Sequence, residues 1–449
     1  MQLIIGSQVK LIDGAIEKIF PYGEVLSLLS KFKNICTDVK WNVNVPARDK
    51  CQIIHNQETI NIKNFHPRDF QQDCIDKFTR TTLTGYIYAP TGSGKTNIAA
   101  YLIAKRNIRT LFIVPKYDLV KQTKKRFQDI LDIDASMIGE LSSSKKEFGA
   151  PILITTWQSL NNQATLQRIK DDRYSQIICD EMHKASADVY YNVVSSIPAM
   201  YKHGLTATPY RNNIRNEQRL FDLVGEERAS VDIKDLYKNG FLVQPNIKIK
   251  NTNYKIDIEQ EYLRSLDFNI KLGMLKKNID KSKKRKEFVI NDIKNSLKFE
   301  RNQFKANQSV ILVNTLELGQ TLKEELSASY NVLYIDASTK AKQRNEIFSN
   351  LTENIITDYV LIGTSKLLGE GTDIPSIKNV FCVSPAYPPF EDTARLQQII
   401  GRAMRPFKDK STANIVMYND KTSGWIDKKK NEVLNIVINN VKPIINNGI

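Results

Sequence analysis

A chain of 449 residues is too long for one ordinary hydrophobic core and requires two or three domains. Its 41% hydrophobic and 25% charged residues are those of a soluble globular protein, and no run of about 18 apolar residues exists, which excludes a helical membrane span. The 65 Lys and Arg against 49 Asp and Glu leave a net charge of +16, which points to a polyanionic partner, nucleic acid being the common one.

The first residues, Met1-Gln-Leu-Ile-Ile-Gly6, lack the basic flank and long apolar stretch of a signal peptide. The five cysteines are scattered without a CxxC pair, which argues against zinc and for a reducing, cytoplasmic compartment. Lys, Asn and Ile are abundant throughout, so part of the basic excess is compositional. The runs Lys124–Arg126, Lys283–Lys286 and Lys428–Lys430 are read first as solvated faces. Lys283–Lys286 is also a candidate phosphate contact.

In chain order, residues 1–62 mix strand-like pieces (Met1–Ile5, Val39–Val45, Gln52–His55) with one helix candidate, Tyr22–Phe32, and form a small α+β appendage. Residues 63–228 then alternate strands with helices. The strands are Tyr86–Ala89, Thr110–Val114, Pro151–Thr155, Ile177–Asp180 and Gly204–Thr206, and the helices include Lys95–Arg106, Lys116–Ile130 and Lys184–Ser195. Such alternation predicts a parallel sheet covered on both faces. The pattern recurs in 229–449, with strands at Ser309–Asn314, Val332–Asp336, Tyr359–Thr364 and Asn379–Val383 and helices at Leu316–Leu326 and Pro389–Met404. Residues 245–305 are Lys- and Asn-rich with few strand signals and are expected to be a helical junction; the stretch after Pro406 reads as a short tail. Two α/β lobes in tandem behind a small appendage is the economical architecture.

Ala89-Pro-Thr-Gly-Ser-Gly-Lys-Thr96 joins the first strand of that series to its helix. Thr91, Gly92, Ser93 and Gly94 are small enough for backbone N–H groups to turn onto phosphate oxygens at a helix N-terminus. Lys95 would reach the β/γ-phosphates and Thr96 would offer its hydroxyl to Mg²⁺. Ala89 stands where the strict pattern has Gly. Downstream, Ile177-Ile-Cys-Asp-Glu-Met-His183 is an apolar strand ending in two carboxylates. Asp180 would hold Mg²⁺ through water and Glu181 would orient and deprotonate the attacking water. This is a nucleoside triphosphatase constellation with ATP and Mg²⁺ as cofactors.

These motifs, with others in the same order over residues 63–410, resemble the superfamily 2 helicases. Asp180-Glu-Met-His183 looks like the DExH box and Pro67-Arg-Asp-Phe-Gln71 like the adenine-reading segment. Thr206-Ala-Thr208 resembles the motif that couples nucleotide state to the lobes. Thr364 with Gly369-Glu-Gly-Thr-Asp373 is similar to the lobe-2 motif that touches ATP and strand, and Gln398-Ile-Ile-Gly-Arg-Ala-Met-Arg405 matches Q-x-x-G-R-x-x-R. The resemblance implies two tandem RecA-like lobes. It implies that Gln71 bonds the adenine edge, that Phe70 and Arg68 shape its pocket, and that Gly371 and Asp373 lie at the nucleotide. It also implies that Arg402 and Arg405 are arginine fingers, with Gln398 near the γ-phosphate, so that hydrolysis requires lobe closure. Pro115, Lys116, Thr155, Thr156 and Thr364 would hold the nucleic-acid backbone. Trp157 is a candidate base-stacking residue with buried packing as the stronger alternative, and His183 is expected to couple to Gln398 or Thr206 and not to ligate metal.

Gly204-Leu-Thr-Ala-Thr-Pro-Tyr-Arg211, Asp235-Leu-Tyr-Lys-Asn-Gly-Phe-Leu242 and Gly401-Arg-Ala-Met-Arg-Pro406 resemble the XPB-type branch, including phage UvsW-like enzymes. That branch implies a DNA motor, acting as a monomer, in repair, recombination or fork remodelling. Met182 and Pro67 depart from the branch pattern, which has a small residue and Leu there. The same motifs also serve RNA helicases and ATP-gated nucleic-acid sensors of defence assemblies.

Overall fold

The computed structural model describes residues 2–5, 9–13, 16–20, 24–25, 28, 31, 38–41, 59–63, 65–81, 83–142, 145–207, 214–255, 268–368, 374–383, 390–408 and 410–421, with parts of 431–445. The expected helix over 22–32 and strand over 52–55 lie largely outside these residues, as do Thr208, Gly371 and Asp373. The chain divides into two compact units, Met1–Asp232 and Ile233–Ile449. No described helix is long and apolar enough to cross a membrane.

Unit 1 opens with a four-stranded sheet of β1 (Gln2–Ile5), β2 (Val9–Asp13), β3 (Ile16–Phe20) and β4 (Asp38–Trp41), in the order β3-β2-β1-β4. Its pairs are antiparallel except β1–β4. The chain then enters α1 (Asp69–Thr81), β5 (Thr84–Tyr88), α2 (Lys95–Arg106), β6 (Thr110–Val114) and α3 (Tyr117–Ile130). There follow β7 (Ile138–Leu141), β8 (Ile152–Thr156), β9 (Gln176–Asp180), α4 (Asp188–Ser195), β10 (Tyr201–Thr206) and β11 (Glu227–Ser230). The strands form one sheet in the order β11-β5-β10-β9-β6-β8-β7, and every pair is parallel.

Apolar runs such as Thr110-Leu-Phe-Ile-Val114 are buried throughout because helices cover both faces. Leu111 and Ile113 join a cluster with Ile177, Cys179 and Tyr190 on one face, while Phe112 packs edge-on against Phe127 of α3 on the other. Trp157 belongs to the first face. It stacks on Tyr190 with ring centroids 5.8 Å apart, so its aromatic partner is internal. Arg106, in the last turn of α2, donates to Gln176 Oε1 at 2.6 Å and to the Phe78 carbonyl, and lies over the Tyr201 ring. This anchors the far end of α2 and so fixes where its N-terminus points.

Unit 2 contains β12 (Pro245–Lys255), α5 (Lys283–Phe304), β13 (Gln308–Val313), α6 (Leu316–Ser327), β14 (Val332–Ile335), α7 (Ala341–Thr352), β15 (Tyr359–Thr364), β16 (Asn379–Cys382), α8 (Phe390–Ala403), β17 (Ala413–Lys421) and β18 (Ile444–Ile445). Its sheet runs β14-β15-β13-β16-β17-β12-β18, again parallel at every pair. Two expectations are corrected here. The 245–305 segment is not wholly helical, because β12 pairs with β17 from Pro245↔Ala413 onward. The stretch after Pro406 is not a tail, because β17 lies inside the sheet between β16 and β12.

Within Lys283–Lys286, read as a solvated basic face, Lys283 and Lys284 are exposed and Arg285 is the exception. Arg285 is 1% exposed and its Nε donates to Asp420 Oδ1 at 2.6 Å, while Nη2 donates to the Val383 carbonyl at 2.7 Å. Thr252 of β12 also donates to Asp420, so one buried carboxylate ties α5, β12 and β17 together. A guanidinium is suited to this position because it is weakly hydrated and presents several donors in a fixed fork.

Candidate nucleotide site

Three adjacent strands, β5, β10 and β9, bring their C-terminal ends together. Thr206 is in register with Tyr88, and Leu205 with Asp180. The Ala89 amide donates to the Thr206 carbonyl at 2.9 Å, so the phosphate-type loop starts beside Thr206. Such a strand-end crevice is where open parallel sheets place ligands.

The loop turns on Gly92 (φ 89°) and Gly94 (φ 81°), both in left-handed backbone, and Gly94 caps α2. Gly94 is demanded twice: a Cβ there would lie 2.6 Å from Gln71 Nε2. Gln71 is 2% exposed; its Nε2 donates to the Ser93 carbonyl at 2.9 Å and its Oε1 accepts the Arg68 amide at 3.0 Å. The structure therefore places Gln71 as a brace under the loop, with Arg68 exposed and Phe70 half-buried nearby in the chain. Ser93 is buried, while Thr91, Lys95 and Thr96 are half-buried at the loop surface. The first amides of α2 have no partner within the helix, as at any helix start, and there they favour an anion.

Asp180 ends β9, and Glu181 follows in left-handed backbone (φ 47°, ψ 48°), unusual for a side-chain-bearing residue. The Glu181 amide donates to Asp180 Oδ1 at 3.0 Å. Lys95 Nζ lies 3.8 Å from Glu181 Oε1 and donates to the Ala89 carbonyl at 3.3 Å. His183 Nδ1 lies 3.3 Å from Glu181 Oε2 and 3.2 Å from Thr206 Oγ1. Lys95, Glu181, His183 and Thr206 thus form one continuous polar chain. Burial, and then the neighbouring Glu181 carboxylate, push the Asp180 carboxyl above the usual carboxylate range, with Lys95 acting in the opposite direction.

Hard oxygen donors beside a carboxylate pair that is short of positive charge suit Mg²⁺, which binds through one or two carboxylates plus phosphates. Among the described residues there is no cluster of three or more His, Cys, Asp or Glu able to cage a metal without such phosphates.

Met182, where the resemblance implies a smaller residue, is accommodated at this strand end. Met182 is 2% exposed, and a Cβ on Gly204 would lie 2.0 Å from its Sδ. The glycine on β10 provides the volume that the thioether fills. Neither residue alone signals this pairing in the sequence.

The residues expected at the nucleic-acid backbone are more varied. Pro115 is buried just past β6, and Lys116 is half-buried in extended backbone at the start of α3. Thr155 is 0% exposed, with its hydroxyl 3.3 Å from the Leu141 and Thr156 carbonyls, so it faces inward and not toward a strand. Thr156 Oγ1 accepts the Ser159 amide at 3.3 Å and caps the short helix Trp157–Leu160.

Within unit 2, Thr364 ends β15, and its hydroxyl accepts the Leu367 amide at 3.4 Å. Gln398 and Arg402 lie on α8, and Arg405 follows its end. Arg402 Nη1 donates to the Leu368 carbonyl at 2.8 Å, joining α8 to the residue that precedes Gly369–Asp373. Sequence reasoning missed Lys410. It is 6% exposed and its Nζ donates to the Pro375 and Ile377 carbonyls at 2.6 and 3.1 Å, tying the segment after Arg405 to the residues that follow Asp373. Burial, with Lys378 and Arg405 nearby, lowers its pKa to about 7. A lone lysine outside any motif gave no signal of this.

Comparison with known proteins agrees with the geometry. Residues 64–211 match the family described as type III restriction enzyme, res subunit, and residues 290–406 match the helicase conserved C-terminal domain. The chain is 24% identical over 354 residues to the DNA 3'-5' helicase XPB of Kineococcus radiotolerans, covering 77% of this chain and 58% of that protein. It is 22% identical over 394 residues to the DNA 3'-5' translocase XPB2 of Sulfurisphaera tokodaii, covering 80% of this chain and 82% of that protein. The Pyrococcus furiosus Hef helicase domain superposes with a TM-score of 0.52 at 17% identity, covering 79% of this chain and 95% of that one, which supports the fold of tandem RecA-like lobes. By its two matched domains and these relatives, the chain belongs to the superfamily 2 helicases and is XPB-like among them.

Proposed function

We propose that the chain is an ATP-dependent DNA helicase or translocase that acts on branched or duplex DNA in repair, recombination or fork remodelling. The observation that carries this reading is the polar chain Lys95–Glu181–His183–Thr206 at the ends of β5, β9 and β10. Lys95 and the amides at the start of α2 bind the β/γ-phosphates. Glu181 takes the proton from the attacking water, and Lys95 and His183 keep its carboxylate in the left-handed turn that aims it. Thr96 and Asp180 would hold Mg²⁺ through water, where it would neutralise charge on the phosphates. His183 and Thr206 pass the state of that carboxylate to β10 and on to Thr208.

Arg402, Arg405 and Gln398 provide the transition-state charge and γ-phosphate contact from unit 2. Gly371 and Asp373 complete the nucleotide contacts, and Arg68 and Gln71 contribute to the adenine end. Pro115, Lys116, Thr156 and Thr364 hold the nucleic-acid backbone. Residues 1–62 serve as an accessory domain, with the motor lobes over 63–228 and 229–449.

DNA is favoured over RNA because two relatives, matched over 77% and 80% of this chain, are described as a DNA helicase and a DNA translocase. The test is ATP hydrolysis measured in parallel with double-stranded DNA, single-stranded DNA, branched DNA and RNA. Stimulation by DNA, greatest with branched substrates, is expected. Stimulation by RNA alone would make this an RNA motor, and turnover indifferent to all four would make it a different kind of ATPase.

A further inference from the structure

Helix α5 buries one face and leaves another open. Val289, Ile293, Leu297 and Glu300 face the unit 2 core, and Lys286, Lys294 and Arg301 pair sideways with Glu317, Glu325 and Asp358. On the opposite side Lys284, Phe288, Asn291, Asn295, Lys298 and Asn302 recur at spacings of four and three, all exposed, with Phe299 beside them. Phe288 is 39% exposed and Phe299 63%. The six positions themselves carry no carboxylate, exposed Glu287 flanks them beside Phe288, and among the described residues Lys284 and Lys298 take part in no ion pair.

We propose that this face of α5 is a binding surface for single-stranded nucleic acid. A partner helix would require apolar residues at these heptad-spaced positions, and five of the six are Lys or Asn. Two exposed aromatic rings, two cations and three amides on one stripe are instead the chemistry of a strand with phosphates on one edge and stackable bases on the other. At about 1.5 Å per residue the phenylalanines are roughly 16 Å apart along the helix, a span of several nucleotides. The helical face, and not the linear run Lys283–Lys286, is the unit: Lys284 belongs to it, whereas Arg285 is buried in the core.

The inference rests on the reading of this chain as a nucleic-acid-dependent motor, and the experiment separates the two. Binding of a dye-labelled oligo(dT) and of a blunt duplex is measured by anisotropy across a salt series, for the full chain and for the Phe288→Ala/Phe299→Ala and Lys284→Gln/Lys298→Gln variants, alongside basal ATPase and sedimentation. The phenylalanine variant should lose about fivefold or more in oligo(dT) affinity, with basal ATPase unchanged and little loss on the duplex. The lysine variant should flatten the log–log salt slope by about 1.4. Wild-type affinity and slope in both variants would overturn the surface, as would an equal loss on duplex or a change in sedimentation without a change in DNA affinity. Failure of the unmodified chain to bind either DNA would instead overturn the motor reading.

Discussion

Each unit contains a seven-stranded all-parallel sheet, yet the two treat charge at its strand ends in opposite ways. In unit 1, Lys95 and Glu181 approach only to 3.8 Å, and their side chains remain 10% and 15% exposed. In unit 2, Arg285 and Asp420 meet at 2.6 Å with both side chains fully buried. The first pair is loose and partly reached by solvent. The second is closed to solvent: Arg285 also bonds the Val383 carbonyl and Asp420 accepts from Thr252, while Arg285 Nη1 has no hydrogen-bond partner among the described residues. What separates the two pairs is distance and access to solvent: a long pair that solvent reaches is available to a ligand, and a short sealed one holds the fold together.

Substitutions can break or sharpen that contrast. Lys95→Ala should abolish ATP hydrolysis and weaken ATP binding without unfolding unit 1, since among the described residues the lysine's contacts are one long ion pair and one carbonyl bond. Nucleotide titration with a thermal melt checks this, and near-normal turnover would remove the loop from the site. Arg402→Ala should lower kcat by on the order of 10³ with little change in ATP affinity, as expected of an arginine acting on transition-state charge. A rise in KM at constant kcat would contradict that role.

On the structural side, Arg285→Met should destabilise the protein by about 3–5 kcal/mol in urea denaturation, because it strands Asp420 as a buried charge. Arg285→Met/Asp420→Leu should recover most of the loss. Unchanged stability in the single variant would mean that the pair does not hold unit 2 together. The smallest effect belongs to the Met182–Gly204 contact. Gly204→Ala should cost about 1–3 kcal/mol by overpacking, and far less in a Met182→Ala background. Additive losses in that double-mutant cycle would show that the two positions do not share the volume.

The sequence makes unit 1 legible where function and fold demand the same residues. The strand–loop–helix around Lys95 and the apolar run into Asp180 are local, and local patterns survive in one dimension. What stayed hidden depends on which way a side chain points. Ile247 and Ile249 alternate with Lys248 and Lys250 in strand fashion, but the Lys- and Asn-rich surroundings masked β12 until its pairing with β17 was seen. Lys284 and Arg285 are chain neighbours of like charge, one facing solvent and the other the core. Thr155 and Thr156 are likewise adjacent, and pleating turns the first hydroxyl inward. Gln71 was singled out by the resemblance of Pro67–Gln71 to the adenine-reading segment, but its brace on the Ser93 carbonyl was not legible, because that bond depends on how α1 packs behind the loop.

The central claim is that Glu181, held in its left-handed turn between Lys95 and His183, is the base for ATP hydrolysis in a nucleic-acid-dependent motor. Single-turnover hydrolysis by Glu181→Gln, measured with ATP affinity and the residence time on DNA, tests it most directly. The account predicts ATP affinity close to wild type, hydrolysis slowed by about 10²–10⁴-fold, and a longer-lived DNA complex. Hydrolysis within a few-fold of wild type, or loss of ATP binding together with no prolonged hold on DNA, would contradict it.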